Sequence, residues 1–506
     1  MQKAAQSSQL NFGAFGAVFV VLVILSAVPL FLTPLPPLLD YPNHLARMHL
    51  LPWLPSVTLG RFYAPAWAPL PNLGMDAIVP FLDMVMPLYA AGKLFILLCF
   101  VLLAGGTAAL HRVLFGGWSL WPSLAFLLLY TRLLLWGFLG YLFGCGLALA
   151  SFAAWIALRP RHWLLRVALG CVFALVVYLA HLLAFAIYAI LVAGYEFGII
   201  VRARPRFAAA FRQLAIGGVP FLPSLALMSM NSTVGRIIYA NPLRKFDLLF
   251  SVFDNYNRTF DVLCFVFVVI AFGVAFWRRW IKLTPDIAGP LIGLVILYLA
   301  LPTQLFTAAG ADRRIPMMIF LVLIAGSRWV APSIRLERRI LTAAALLFVA
   351  RLAVIAIVWN SSGRLYATLL PGIDSLPVGS CIATAYDREG LAVQRAPLAH
   401  FPTIAVARRD AFVTSLFAYP TQQPIRLQPD AQALADALSA DELWRAFVDD
   451  STTLSPQTKA ALTRCDYIAF AGTHPFTLKN TAGLAAQFIA PRFQLYRIAR
   501  PAAPAS

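Results

Sequence analysis

This chain has little charge, and acidic charge is the scarcer sign. Only 12% of its 506 residues are charged, Asp and Glu number 21 against 40 Lys and Arg, and 61% are hydrophobic. A water-soluble domain cannot cover itself with so little polar surface, so the chain reads as a polytopic membrane protein. Cysteine is sparse too, six in all; no spacing resembles a zinc site, and no tandem repeat marks a solenoid. The first apolar run is followed by Pro34 to Leu39 rather than by a small-residue cleavage site, so it is expected to be a retained helix. The excess of Lys and Arg would indicate nucleic acid in a soluble chain. Here the cations gather in short loops between apolar runs, which argues against a nucleic-acid partner.

Apolar runs extend over about 13–33, 82–110, 118–135, 137–158, 164–180, 182–201, 214–230, 260–277, 287–303, 315–330 and 340–359, giving about eleven transmembrane helices. The stretches 118–158 and 164–201 are too long for one span and right for two, joined by hairpins near Arg132 and near His181. Basic residues at Arg112, Arg159 to Arg166, Arg202 to Arg212, Arg278 to Lys282 and Arg328 to Arg339 mark one side as cytoplasmic. The amino terminus then lies inside, and the carboxyl-terminal part lies outside. The expected fold is a membrane all-α domain over 1–359, whose first outer loop, 34–81, carries amphipathic helices. A small extracytoplasmic α/β domain occupies 360–506. In that domain Ser380–Ala385, Thr403–Ala407, Tyr467–Ala471 and Phe493–Ile498 read as strands, and Gln432–Val448 as one or two helices. Cys381 and Cys465 are the only cysteines outside the apolar runs, so an oxidising compartment would let them pair.

The stretch PLPPLLDYPNHLARMHLL, Pro34 to Leu51, begins where the first run ends. Proline stops that helix, and Pro42 suits the first turn of a new one. His44, Arg47 and Leu51 then share a face, with Asp40 just ahead of the turn, where the helix dipole favours a carboxylate. Asp40 serves equally well as a helix cap. The segment is expected to lie on the outer membrane surface as an amphipathic helix that directs Asp40, His44 and Arg47 toward a shared polar space. Asp76 is the best second carboxylate, or else a cap. A divalent metal held by Asp40, His44 and Asp76 is the less favoured alternative to a site with no metal and no cofactor.

Cations on the translocated side break the charge rule. Arg236, Arg244, Lys245 and Arg258 follow the seventh run, and Arg313 and Arg314 precede the tenth. One explanation is a pocket for an anion, most naturally a lipid phosphate or pyrophosphate gripped by the Arg fork. The other is local pairing with Asp247, Asp254, Asp261 and Asp312, or contact with lipid head groups. His181, at an outer hairpin, can line the same cavity or simply satisfy a helix end. Lys93, Glu196 and Arg351 fall inside apolar runs and must face the interior or snorkel.

On these residues, DYPNHLAR above all, the chain resembles the GT-C superfamily of membrane glycosyltransferases, which use polyprenyl-phosphate sugars. Members have many spans, an acidic residue in the first outer loop, amphipathic helices in that loop and often a soluble outer domain at the carboxyl end. The resemblance implies that Asp40 is the catalytic base with His44 beside it. It further implies that Arg313 or Arg314 meets the lipid phosphate; Arg47, Asp76, His181 and Arg258 are further candidate substrate contacts on their own positions in the sequence. Many members carry two adjacent acidic residues where this chain has Asp40 followed by Tyr41. The implied partners are a polyprenyl-phosphate sugar donor, membrane lipid, and a saccharide, lipid or protein acceptor. The rival classes are a flippase for an anionic saccharide lipid and a non-catalytic partner in envelope polysaccharide assembly.

Overall fold

The computed structural model describes residues 10–53, 56–230, 236–306, 308–330, 333–387, 397–419 and 421–499. The chain forms two compact units. One comprises Met1–Val28, Pro69–Met75 and Leu94–Ile355; the other comprises Pro29–Ala68, Asp76–Lys93 and Ala356–Ser506.

The first unit is a helix bundle. Among the described residues of the whole chain, eight helices are long and apolar enough to cross a bilayer: Phe12–Phe31, Leu88–Phe115, Leu139–Ala157, Trp163–Ala180, Leu182–Ala203, Phe207–Ser229, Arg258–Trp277 and Ile334–Asp374. This is an integral multi-pass membrane protein. The other three expected runs fold as shorter pieces. Run 118–135 becomes a 3-10 stretch, Trp121–Leu128, and a short helix, Arg132–Trp136, ended by Gly137 at φ 87°. Pro122 opens the first piece, and only glycine accepts that φ without strain at the end of the second. Run 315–330 is helical only to Ala325, after which Ser327–Trp329 pairs with Ile281–Leu283. Run 287–303 gives Ala288–Ala300.

The break at His181 is where the apolar pattern placed it. His181 has φ −170° between two helices, and its Nδ1 accepts from the Leu183 N–H at 3.1 Å. Close packing relies on small residues. At Gly194 a Cβ would stand 2.6 Å from the Gly289 and Pro290 backbone, so these two helices touch main chain to main chain. The charges inside apolar runs are handled internally. Glu196 is buried on Arg166 at 2.6 Å, and Arg351 is buried on Asp261 at 3.1 Å.

The second unit is built on a five-stranded sheet in the order Leu484–Ala490, Phe493–Ile498, Tyr467–Ala471, Cys381–Tyr386, Phe412–Val413. The first three strands are antiparallel neighbours, and the last three run parallel. One expected strand is a helix instead. The residues around Thr403–Ala407 fold as a 3-10 turn, Phe401–Thr403, and a helix, Ile404–Arg409, whose buried Ile404, Ala405 and Val406 pack against the Tyr41–Trp53 helix. Tertiary packing overrides the β preference of Ile and Val there. Tyr41–Trp53 is itself buried on nearly every face within this unit, rather than lying amphipathically on a surface.

Cys381 and Cys465 are disulfide-bonded, with Cα atoms 4.7 Å apart and 84 positions separating them in the sequence. A cross-link closing so long a loop removes on the order of 4 kcal/mol of unfolded-state entropy. Cys381→Ser is therefore expected to lower the melting temperature of the detergent-solubilised protein. Reductant should do the same to the wild type and nothing further to the variant; an unchanged melting temperature in both would contradict it.

Candidate functional site

In the second unit the chain leaves the first long helix through a proline-stiffened turn in which Leu38 N–H bonds Pro36 O at 2.8 Å. Asp40 follows. Its carbonyl accepts the His44 N–H at 3.0 Å, so Asp40 opens the Tyr41–Trp53 helix, where the peptide dipoles favour its negative charge. Its carboxylate is 18% exposed, sheltered yet reachable, and Oδ1 lies 3.6 Å from Nε2 of His400.

The sequence gives no hint of His400, which stands 360 positions away in an unremarkable loop. Here the imidazole sits between the edges of the Tyr386 and Phe417 rings, at 5.8 and 5.0 Å, and Nδ1 has no hydrogen-bond partner among the described residues. Burial pushes its pKa down to about 4. At neutral pH it is an uncharged neighbour of Asp40, not an ion-pair partner. Asn43 fixes the same region from the other side: its Oδ1 accepts from Phe417 N–H at 2.8 Å and its Nδ2 donates to Ser415 O at 3.4 Å.

This burial has a pH consequence. An unfolded histidine titrates near 6.5 and His400 in place near 4. The stability it contributes is thus complete above about pH 6.5 and is lost as pH falls toward 4, on the order of 3 kcal/mol. His400→Asn is expected to flatten that part of the acid sensitivity. Melting temperatures of both proteins at pH 7 and 4.5 check it, and equal drops would contradict it.

The structure places His44 half-buried at the position next to Asn43 on the same helix. Arg47 and Asp76 it brings together: Nε donates to Oδ1 at 2.6 Å and Nη2 to Oδ2 at 3.1 Å, with both side chains almost wholly buried. Asp76 thereby spends both oxygens on Arg47. Among the described residues no group of three or more His, Cys, Asp or Glu side chains is gathered in a way that could hold a metal ion.

In the bundle unit, Arg314 and His181 meet, while Arg313 turns to Trp136. Arg314 is buried, with its guanidinium 4.2 Å from the Phe138 ring centre and 5.7 Å from that of Tyr141. Its Nη2 donates to Ala309 O at 3.2 Å, and Nη1 lies 3.3 Å from Nε2 of His181. Tyr141 anchors the turn by donating to the Arg314 carbonyl at 2.5 Å. Because His181 Nδ1 accepts from Leu183, a neutral ring must carry its proton on Nε2. In that tautomer the Nε2 proton faces the Arg314 Nη1 donors at 3.3 Å, so the contact between the two is not a hydrogen bond.

Arg313 lies over Trp136, 5.0 Å from the ring centre. Burial first, then the like charges of Arg244 and Arg132, hold its pKa below the ordinary value. The local carboxylates are largely committed. Asp254 pairs with Arg132 and Asp261 with Arg351, whereas Asp312 accepts from Thr303 at 3.0 Å through Oδ2, keeps Oδ1 without a hydrogen-bond partner among the described residues, and acts electrostatically on Arg313. Lys245 donates to the carbonyls of Tyr298 and Leu301. Arg258 is exposed and stacks over Phe250 at 4.9 Å.

No protein-family model matches the chain, and no curated protein matches it. Among solved structures it is similar to ArnT from Cupriavidus metallidurans bound to undecaprenyl phosphate, with a TM-score of 0.53 at 12% identity, covering 96% of this chain and 98% of that one. The apo state of the same protein gives a TM-score of 0.53 at 11% identity with the same coverage. The likeness is one of fold, and it runs over nearly the whole chain.

Proposed function

We propose that this protein is a membrane glycosyltransferase that moves a sugar from a polyprenyl-phosphate donor to an acceptor hydroxyl or amine on the extracytoplasmic face, inverting the anomeric centre. The observation that carries the reading is Asp40, a sheltered carboxylate at a helix start just beyond the first long helix, beside an uncharged imidazole. ArnT, the structural neighbour, binds undecaprenyl phosphate. In the reaction the acceptor oxygen or nitrogen bonds to the anomeric carbon, and the bond from that carbon to the phosphate oxygen breaks. The acceptor proton passes to Asp40 and polyprenyl phosphate departs. Within the bundle unit, Arg313 and Arg314 are the planar cations suited to holding a lipid phosphate. The orientation this requires, amino terminus in the cytoplasm and tail outside, follows from the basic loops and suits the disulfide.

The experiment is incubation of the purified protein with labelled polyprenyl-phosphate sugar and candidate acceptors. Consumption of donor with release of polyprenyl phosphate supports a transferase. Movement of intact donor across vesicles indicates a flippase, and neither outcome indicates an assembly protein. Arg313→Lys and Arg314→Lys keep the charge but lose the planar fork. Each is expected to weaken donor affinity by about tenfold, corresponding to one charge-assisted hydrogen bond. Unchanged donor affinity in both would remove the fork from the reading.

A further inference from the structure

The Leu139–Ala157, Trp163–Ala180 and Leu182–Ala203 helices have a second basic end. At the first end stand Phe138 and His181; at the other, a 19-residue helix or about 28 Å away, stand Arg159 and Arg166. That separation is close to one hydrocarbon thickness. At the second end a cavity of about 520 Å³ is lined by Arg159, Arg166, Glu196, Arg212 and Gln213, with Ala208, Ala209 and Ile216 on its apolar side.

Three guanidinium groups thus face one carboxylate, and that carboxylate is fully engaged. Glu196 Oε1 accepts from Trp155 Nε1 at 2.9 Å and Arg166 Nη2 at 2.6 Å, and Oε2 accepts from Gln213 Nε2 at 2.9 Å. Arg166 is 6% exposed, lies 3.9 Å over the Trp155 ring, and its Nε has no hydrogen-bond partner among the described residues. Burying a guanidinium with donors to spare is costly unless an acceptor completes it. Arg159 and Arg212 are exposed and form ion pairs with no carboxylate among the described residues.

We propose that this cavity binds a phosphate-bearing anion, with an anionic phospholipid headgroup as its natural source. Glu196 positions Arg166 as the buried floor, while Arg159 and Arg212 close on the phosphate from the rim. The lipid source follows from the walls. The Phe207–Ser229 helix, which supplies Arg212, is long and apolar enough to span, and Phe207, Phe211 and Leu214 beside the cavity are exposed, offering acyl chains a surface. The site is separate from the Arg314 and His181 group and serves anchoring of the bundle rather than chemistry.

The test uses the full chain, delipidated in mild detergent, with bound lipid counted by native mass spectrometry after addition of phosphatidylglycerol or phosphatidylcholine. The double variant Arg159→Gln/Arg212→Gln removes rim charge without disturbing the buried floor. Arg338→Gln/Arg339→Gln removes the same charge from an exposed basic stretch outside the cavity. Phosphatidylglycerol occupancy is expected to fall about tenfold or more in the first variant and to hold within about twofold in the second, with phosphatidylcholine weak throughout. Inorganic phosphate that stabilises the wild type, but not the cavity variant, where the lipid shows no such dependence, assigns the same pocket to a free phosphate. Equal behaviour of the two double variants toward both phosphatidylglycerol and inorganic phosphate overturns the proposal.

Discussion

Asp40→Asn is expected to lower the rate of sugar transfer by about 10² to 10⁴ while leaving a folded protein that still binds the lipid donor. Asparagine keeps the shape and can still start the helix, so a purely structural Asp40 would lose little stability on this change. What asparagine cannot do is take the proton that the acceptor sheds as its bond to the anomeric carbon forms. The surroundings matter to the size of the effect. His400, held neutral by burial, lies 3.6 Å away and adds no positive charge that would weaken Asp40 as a base. His400→Asn is accordingly expected to be a milder lesion, and a shifted pH profile for transfer would mark it as a positioning residue rather than packing alone. His44→Asn belongs in the same series, with a defect smaller than that of Asp40. The decisive comparison is turnover at matched expression and melting temperature. Near wild-type turnover in Asp40→Asn would remove the base assignment and leave the acceptor proton to another group.

The part of this architecture that was legible in the sequence is the part governed by local rules. An apolar run followed by three prolines fixed where the first helix must end and where Asp40 must stand. Two cysteines outside the apolar runs were enough to name the disulfide, and alternation of apolar residues placed three strands of the sheet. What was not legible depended on contacts distant in sequence. A window over 118–135 registers hydrophobicity and misses that Pro122 and Gly137 cut the segment into a 3-10 stretch and a short helix. Thr403–Ala407 has strand-like side chains, yet burial against the Tyr41–Trp53 helix makes it helical. His400 had no signal at all, because nothing in its neighbours announces a partner 360 residues earlier. The outer arginines were visible as a breach of the charge rule, but the convergence of Arg314 with His181, and the engagement of Asp254 and Asp261 elsewhere, required coordinates.

Arg47 and Asp76 are where reading and structure diverge most, and they give the second large prediction. Both looked like polar groups available to substrate, yet they form a bidentate pair with side chains 2% and 1% exposed. Removing one partner leaves the other charge buried without compensation, which typically costs about 3 to 5 kcal/mol. Asp76→Asn and Arg47→Met are each expected to depress the melting temperature by several degrees and to reduce yield. Replacing both by apolar side chains, Arg47→Met with Asp76→Leu, removes the uncompensated charge and should recover most of the loss, because a buried ion pair contributes little beyond a well-packed apolar pair. A substrate contact would behave in the opposite way. Single variants would then melt like the wild type and bind donor weakly, and the double variant would rescue nothing. Thermal unfolding of the four proteins beside their donor affinities separates the two roles, since a clamp on the Tyr41–Trp53 helix alters stability first and affects transfer only through the setting of Asp40.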